Sequence, residues 1–247
     1  PVGETILKVD NLSRHGEYDD ISFELHKGEI LGFVGLVGAG RTELMHSIFG
    51  MSKPDSGTIT YEGKQVHFKS PKDAIKNGIA YVTDDRKGEG LILPMSVAKN
   101  ITLASLSDFE KGIVIQNKQE ETVVNEQIKN LRIKSNKTSM PVKALSGGNQ
   151  QKVVLAKWMI TNPKVLIFDE PTRGIDVGAK AEIYKIMRDY TNKGNAIIMV
   201  SSEMPEAMGM SDRIIVLSNH KYSGELKRED FNEEAIVQLQ FKHMSGN

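Results

Sequence analysis

The sequence predicts an α/β fold in which a mostly parallel sheet carries helices on both faces, with an antiparallel β subdomain and an inserted helical subdomain. Three observations predict it. Apolar runs at 165–168, 196–200 and 214–217 are separated by helical spacing such as Ile183, Ile186, Met187 and Tyr190, and strands alternating with helices imply parallel pairing. The run EILGFVG feeds a glycine-rich turn and then the helical pattern of Leu44, Met45, Ile48 and Phe49, which Gly50 ends. The stretch from 85 to 143 is charged and helix-prone, with few long β-branched runs.

Taken in order, ETILKVDNL places Ile6, Val9 and Leu12 in imperfect alternation, and ISFELHKGEI places Ile21, Phe23 and Leu25 on one side; both read as antiparallel strands. SGTITYEGKQVHF alternates around a Glu-Gly turn and reads as a hairpin. The last stretch, from Leu226, is polar with a short amphipathic helix over 235–241. The expected organisation is one domain over 1–247: core and β subdomain at 1–84 and 162–225, helical subdomain at 85–161, tail at 226–247.

Lys plus Arg number 32 and Asp plus Glu number 32, so no global charge draws the chain to nucleic acid or an anionic surface. With no cysteine, disulfides and thiolate metal sites are excluded and a reducing compartment fits. The longest apolar runs fall far short of the ~20 residues of a membrane helix, so a membrane role must come through a partner. The chain starts at Pro1 without an initiator methionine, which is expected of a segment cut from a longer polypeptide. The six histidines show no metal-ligand spacing.

GLVGAGRTE, residues 35–43, resembles the phosphate-binding pattern G-x-x-x-x-G-K-[ST], with Gly35, Gly40 and Thr42 in place and Arg41 where lysine belongs. A strand feeding a glycine turn into a helix start aims several N–H groups and the positive end of the helix dipole at one point, which favours phosphate. Thr42 is placed to put its hydroxyl on Mg²⁺ between the β- and γ-phosphates; the competing reading is a plain strand-to-helix turn. In VLIFDEPT, an apolar strand ends in Asp169 and Glu170, at the sheet edge where open α/β folds bind ligands. Asp169 would hold the metal through its water shell and Glu170 would polarise an attacking water. A solvated acidic strand end is the alternative. ALSGGNQQKVVLAKWM opens a helix at Ser146, Gly147, Gly148 and Asn149, with Ser146 as cap and Val154, Leu155, Trp158 and Met159 as its apolar face.

Residues 145–151 resemble the LSGGQ signature of ABC-type ATPases, and loop, signature and FDEPTRGID together cover nearly the whole chain. The resemblance implies a P-loop nucleotide-binding core, an antiparallel β subdomain and a helical subdomain bearing the signature. It implies ATP and Mg²⁺ as ligands, held by Gly35, Gly38, Ala39, Gly40, Arg41, Thr42 and Glu43 on one domain and by Ser146, Gly147, Gly148 and Asn149 of a second domain paired head to tail. Asp176, in RGID, resembles the aspartate that crosses that interface.

Three positions depart from the family pattern. Arg41 is cationic, but its planar head cannot sit where a compact ammonium does. Ser202, in VSSEMPEA, stands where the family has a histidine contacting the γ-phosphate. Asp84, in YVTDDRK, replaces the usual glutamine with an acceptor-only carboxylate; its bland reading is a loop acid beside Arg86. Together they predict a weakened catalytic site of Glu170, Asp84 and Ser202 beside an intact signature. His15 and Tyr18 are the candidates for stacking on adenine. The phrases VTDDRKGEGL, LSGGNQQKV and DEPTRGIDVGAK resemble, more narrowly, the C-terminal half of tandem ATPases driving bacterial monosaccharide import of the ribose, galactose and xylose type. That resemblance implies an N-terminal nucleotide-binding half of the same polypeptide, membrane permease subunits, a periplasmic sugar-binding protein and a place on the cytoplasmic face of the plasma membrane. It implies no nucleic acid. DDRKGEGL reads either as a mobile loop or, as the resemblance implies, as a stretch near the groove for the permease's coupling helix, with Arg86 its first residue to test. The rival readings are a competent, self-pairing ATPase and a soluble regulatory module. Met204, Met208 and Met210 read as core filler, and LKREDFNEE as a solvated helix start.

Overall fold

The computed structural model describes residues 3–111, 114–115 and 117–244, with side chains outside 107–118. Contacts divide the chain into two compact units: Pro1–Tyr81, Lys164–Pro171 and Met187–Asn247 form one, Val82–Pro163 and Thr172–Ile186 the other.

In chain order the first unit carries β1 (Thr5–Arg14), β2 (Tyr18–His26), β3 (Ile30–Gly35), α1 (Arg41–Ile48), β4 (Ser56–Tyr61), β5 (Lys64–Val66), α2 (Pro71–Lys76) and β6 (Ile79–Val82). In the helical unit follow α3 (Val97–Thr102), the short strands β7 (Glu110–Lys111) and β8 (Val114–Ile115), α4 (Asn117–Asn130) and α5 (Gly147–Met159). Next come β9 (Val165–Asp169) and α6 (Val177–Asn192), then β10 (Ala196–Val200), α7 (Met204–Met210), β11 (Arg213–Ser218), β12 (Lys221–Lys227) and α8 (Glu233–Phe241). Among the described residues one sheet runs β5-β4-β1-β2-β12-β11-β3-β10-β9-β6.

Its first half is antiparallel, β1 pairing with β2 and β4, and β4 with β5. Its other half is parallel where β11, β3, β10 and β9 meet. Every residue of β3, β9 and β10 is buried, as continuous apolar strands covered on both faces must be. Arg213 locks this half at its base, its Nε and Nη2 donating to the buried Glu29 carboxylate at 2.6 and 3.1 Å.

Among the described residues, four strands escape the sequence patterns: β6, β12, and the short β7 and β8 inside the stretch expected to be helical. Residues 79–82 make only four positions after Gly78, and β12 is half polar, held by its antiparallel register on β11. Asn219 and His220 join β11 to β12, both with positive φ, the backbone a two-residue hairpin of matching twist requires. The charged run after Leu226 therefore starts as the end of a strand, and α8 begins later, at Glu233, capped by Asn232, whose side chain accepts from Ala235 N at 2.7 Å. Ile236 is buried, and Leu239, Met204 and Met208 pack with it on a cluster of Val34, Ala207, Ile214 and Val216, so the methionines do fill the core.

In the helical unit, Ser146 caps α5 by accepting from Asn149 N. From Gln150 to Lys157 the helix is buried on every side, a wider contact than the apolar stripe at 154, 155, 158 and 159 predicts.

Candidate functional site

β3 runs into the glycine loop, where Val37 is 96% exposed and Gly38 and Gly40 take φ of +78° and +93°. A Cβ on Gly40 would meet the Glu17 carbonyl oxygen at 2.1 Å, so this position needs glycine for space as well as for φ. Ala39 is buried and its N–H closes the turn on Leu36 O at 3.0 Å. α1 starts at Arg41, Gly40 offers no side-chain cap, and Glu43 lies in the first turn. The first N–H groups of α1 thus have no capping side chain, the local condition for an anion.

β9 delivers Asp169 and Glu170 beside that helix start. Asp169 is 1% exposed, and its Oδ2 accepts from Thr42 Oγ1 at 2.9 Å and from Tyr81 OH at 2.8 Å. Glu170 adopts φ +49°, uncommon for a residue with a Cβ and often a mark of a functional position. Its N–H donates to Val200 O at 2.8 Å, and its Oε2 accepts from Ser202 Oγ at 3.0 Å. Arg41 Nη1 donates to Ser201 O at 2.8 Å. Burial lowers the pKa of this guanidinium, and Glu170, Asp169 and Glu43 oppose the shift. The Ser201 hydroxyl in turn donates to buried Glu206 at 2.5 Å. The structure therefore gathers Arg41, Thr42, Asp169, Glu170 and Ser202 in one place. Sequence reasoning missed Tyr81; the available signal was the apolar run IAYV after Gly78.

Tyr18 cannot stack on a base. It is 1% exposed and its OH donates to Ser47 Oγ at 2.5 Å. His15 is exposed on a cleft of about 490 Å³ that Asp55, Asn219 and His220 also line.

The second unit holds the other predicted residues. Ser146 Oγ accepts from Asn149 Nδ2 at 2.9 Å, and Asn149 Oδ1 accepts from Lys134 N at 2.9 Å. A Cβ on Gly148 would lie 2.4 Å from Ala179 Cβ, and Gly147 lies against the Arg86 guanidinium. Asp176 Oδ1 accepts from Ala179 N at 3.0 Å and caps α6. A recess of about 260 Å³ is lined by Ser146, Gly148, Asn149 and Asp176 together with Lys134 and Lys152. Asp84 pairs with Arg173 at 2.9 Å rather than with Arg86, which donates weakly to the Arg173 carbonyl at 3.5 Å. Asp85, not Asp84, closes the wide turn Arg86–Gly90 by accepting from Gly88 N at 2.8 Å. Lys157 Nζ donates to Gly90 O at 2.6 Å, and burial lowers its pKa to about 8.

A parallel sheet that ends in paired carboxylates beside an uncapped helix start defines an α/β domain of the nucleotide-binding type. The chain belongs to the ABC transporter family, whose profile matches residues 18–173. It is similar in fold to MJ1267, an ATP-binding cassette of an ABC transporter, with TM-score 0.83, 22% identity, and coverage of 96% of this chain and 98% of that one. It is likewise similar to cbiO1 from Clostridium perfringens, with TM-score 0.79 and 23% identity over 97% of this chain and 95% of that one. In sequence it is 52% identical to the ribose import ATP-binding protein of Oceanobacillus iheyensis over 95% of this chain and 47% of that protein. The Bacillus subtilis ribose import ATP-binding protein is 48% identical over 96% of this chain and 48% of that protein. The chain thus spans about half the length of the curated relatives it matches.

Proposed function

We propose that this chain is an ATP-binding half of a bacterial monosaccharide importer, that its loop binds MgATP and turns it over slowly, and that its signature face completes the site of a partner half. The contact between Thr42 and Asp169 carries the first part of this reading, because it sets a hydroxyl and a buried carboxylate together beside an uncapped helix start. Both are hard oxygen donors of the kind Mg²⁺ takes alongside substrate phosphates, so the residues fit the ion. When bound, Mg²⁺ supplies charge neutralisation on the phosphate oxygens. Arg41 would leave the Ser201 carbonyl to grip phosphate oxygens, and the loop N–H groups would orient them. Glu170, steadied by the Ser202 hydroxyl, would accept the proton of an attacking water. The nucleoside would extend into the cleft beside His15.

Slow turnover follows from the exchanged groups. A guanidinium is longer than an ammonium and carries its charge elsewhere, and serine at 202 brings no ionisable ring. Relatives named for ribose import, about twice as long as this chain, support a second nucleotide-binding half in the same polypeptide, permease subunits and a periplasmic sugar-binding protein as partners. A place at the cytoplasmic membrane face follows from those partners; no helix among the described residues is long and apolar enough to cross a membrane. Pairing of cassettes is supported by MJ0796, similar at TM-score 0.76 and 20% identity, whose dimer is bound to ADP and Pi.

One observation favours a competent, self-pairing site instead: Glu170 is already held by Ser202 at 3.0 Å. ATP turnover by the chain as a function of its concentration separates the two. Turnover that rises with concentration and vanishes in Glu170→Gln supports the competent site, whereas equal turnover in Glu170→Gln and the parent removes Glu170 from catalysis.

A further inference from the structure

The turn between β11 and β12 reaches the start of β2 through side-chain and backbone bonds that the chemistry at the phosphates does not itself require. His220 is half-buried and grips the start of β2 on both sides of Tyr18. Its Nδ1 lies 2.7 Å from Glu17 O, and its own carbonyl accepts from Asp19 N at 2.7 Å. A carbonyl can only accept, so Nδ1 carries the proton. The Glu17 carbonyl is also the atom against which Gly40 packs, with the Tyr18 Cβ next to it. Tyr18 itself is tied to Ser47 on α1. Residues 17–19 are therefore held by the β11–β12 turn from one side and by the phosphate-loop helix from the other.

This arrangement bears on where a nucleoside can go. Phosphates at the start of α1 leave the rest of the nucleotide to find an adjoining wall, and the wall that touches Gly40 is 17–18. That wall continues into the cleft lined by His15, Asp55, Asn219, His220 and Lys221. The hydrogen bond that His220 donates to Glu17 O is the contact that ties this wall at the residue touching Gly40, while His15 N–H donates to Asp55 Oδ2 at 2.7 Å further along it.

We propose that His220 is a positioning residue for the nucleoside end of the nucleotide, fixing Glu17 and with it the cleft wall at 13–19. This rests on the reading that the loop binds MgATP. The test is calorimetric titration of the chain with MgATP and, separately, with magnesium tripolyphosphate, which offers the phosphates without a nucleoside. His220→Ala removes the donor, and His220→Gly removes it without strain at φ +67°. His220→Asn tolerates that φ and sets an amide N–H where Nδ1 stands.

Loss of one such hydrogen bond is expected to weaken MgATP binding about five-fold in the Ala and Gly variants. Tripolyphosphate binding should stay within about two-fold, and the Asn variant should recover ATP affinity. An equal fall for ATP and tripolyphosphate would show a merely structural role and overturn the proposal. So would unchanged ATP affinity in both the Ala and Gly variants, or no recovery with Asn. Failure of the parent chain to bind either ligand would instead sink the MgATP reading, and the positioning role with it.

Discussion

Lys157 provides a prediction whose magnitude can be worked from its surroundings. It is 6% exposed on α5, its ammonium donates to Gly90 O at 2.6 Å, and the Trp158 ring lies 5.0 Å from Nζ. The ring favours the charged form, yet burial prevails and brings the pKa from 10.5 to about 8. The folded state therefore sheds its proton while the unfolded chain keeps it, between about pH 8 and the unfolded value near 10.4. Stability rises with pH wherever the unfolded state binds more protons. The burial penalty is thus fully present below pH 8 and is relieved as pH rises through that window. Linkage over a shift of this size adds about 2 kcal/mol from pH 7 to 9.5. Lys157→Met keeps the stem's bulk and removes the titration, so comparing the two proteins by urea unfolding cancels the other ionisations. The parent is expected to gain about 2 kcal/mol on the variant between those pH values. A stability difference that stays constant across the range would refute the reasoning.

Three further substitutions test other contacts. Glu182→Ala strips Lys152, whose side chain is 3% exposed, of its carboxylate partner, and should cost about 1–3 kcal/mol in urea unfolding at neutral pH. Gly148→Ala drives a methyl to 2.4 Å from Ala179 Cβ, and thermal unfolding should register a loss of about 1–3 kcal/mol from overpacking. Tyr81→Phe removes one of the two hydroxyls on Asp169 Oδ2; denaturant unfolding should show a loss of about 1 kcal/mol, and a double-mutant cycle with Thr42→Ala should show coupling, because both donors share one oxygen.

Much of the fold is legible because its signals are local. EILGFVG followed by a glycine turn and helical spacing specifies strand, turn and helix within about twenty positions, and VLIFDE carries both the buried strand and the carboxylates at its end. The glycines at 38 and 40 adopt the positive φ that motivates them. What escapes is long-range. Arg41 finds Ser201 across 160 positions and Asp84 finds Arg173 across 89, and neither pairing leaves a mark in the neighbouring residues. Tyr18 looks available to a base until the β2 side chains Ile21, Phe23 and Leu25 prove to be buried along with it. β12 hides because its polar residues alternate around Ser223, so its register depends on β11 rather than on its own hydrophobicity. The φ of +49° at Glu170 is invisible for a related reason: its N–H is bonded to Val200 O, a residue 30 positions away on the next strand.

The central claim is that a loop with arginine in place of lysine still holds nucleotide, and isothermal titration of the chain with MgATP, alongside Arg41→Ala, tests it most directly. Binding by the parent with a Kd on the order of micromolar, lost in the variant, is the predicted result. No heat of binding in either protein, or equal affinity in both, would contradict it.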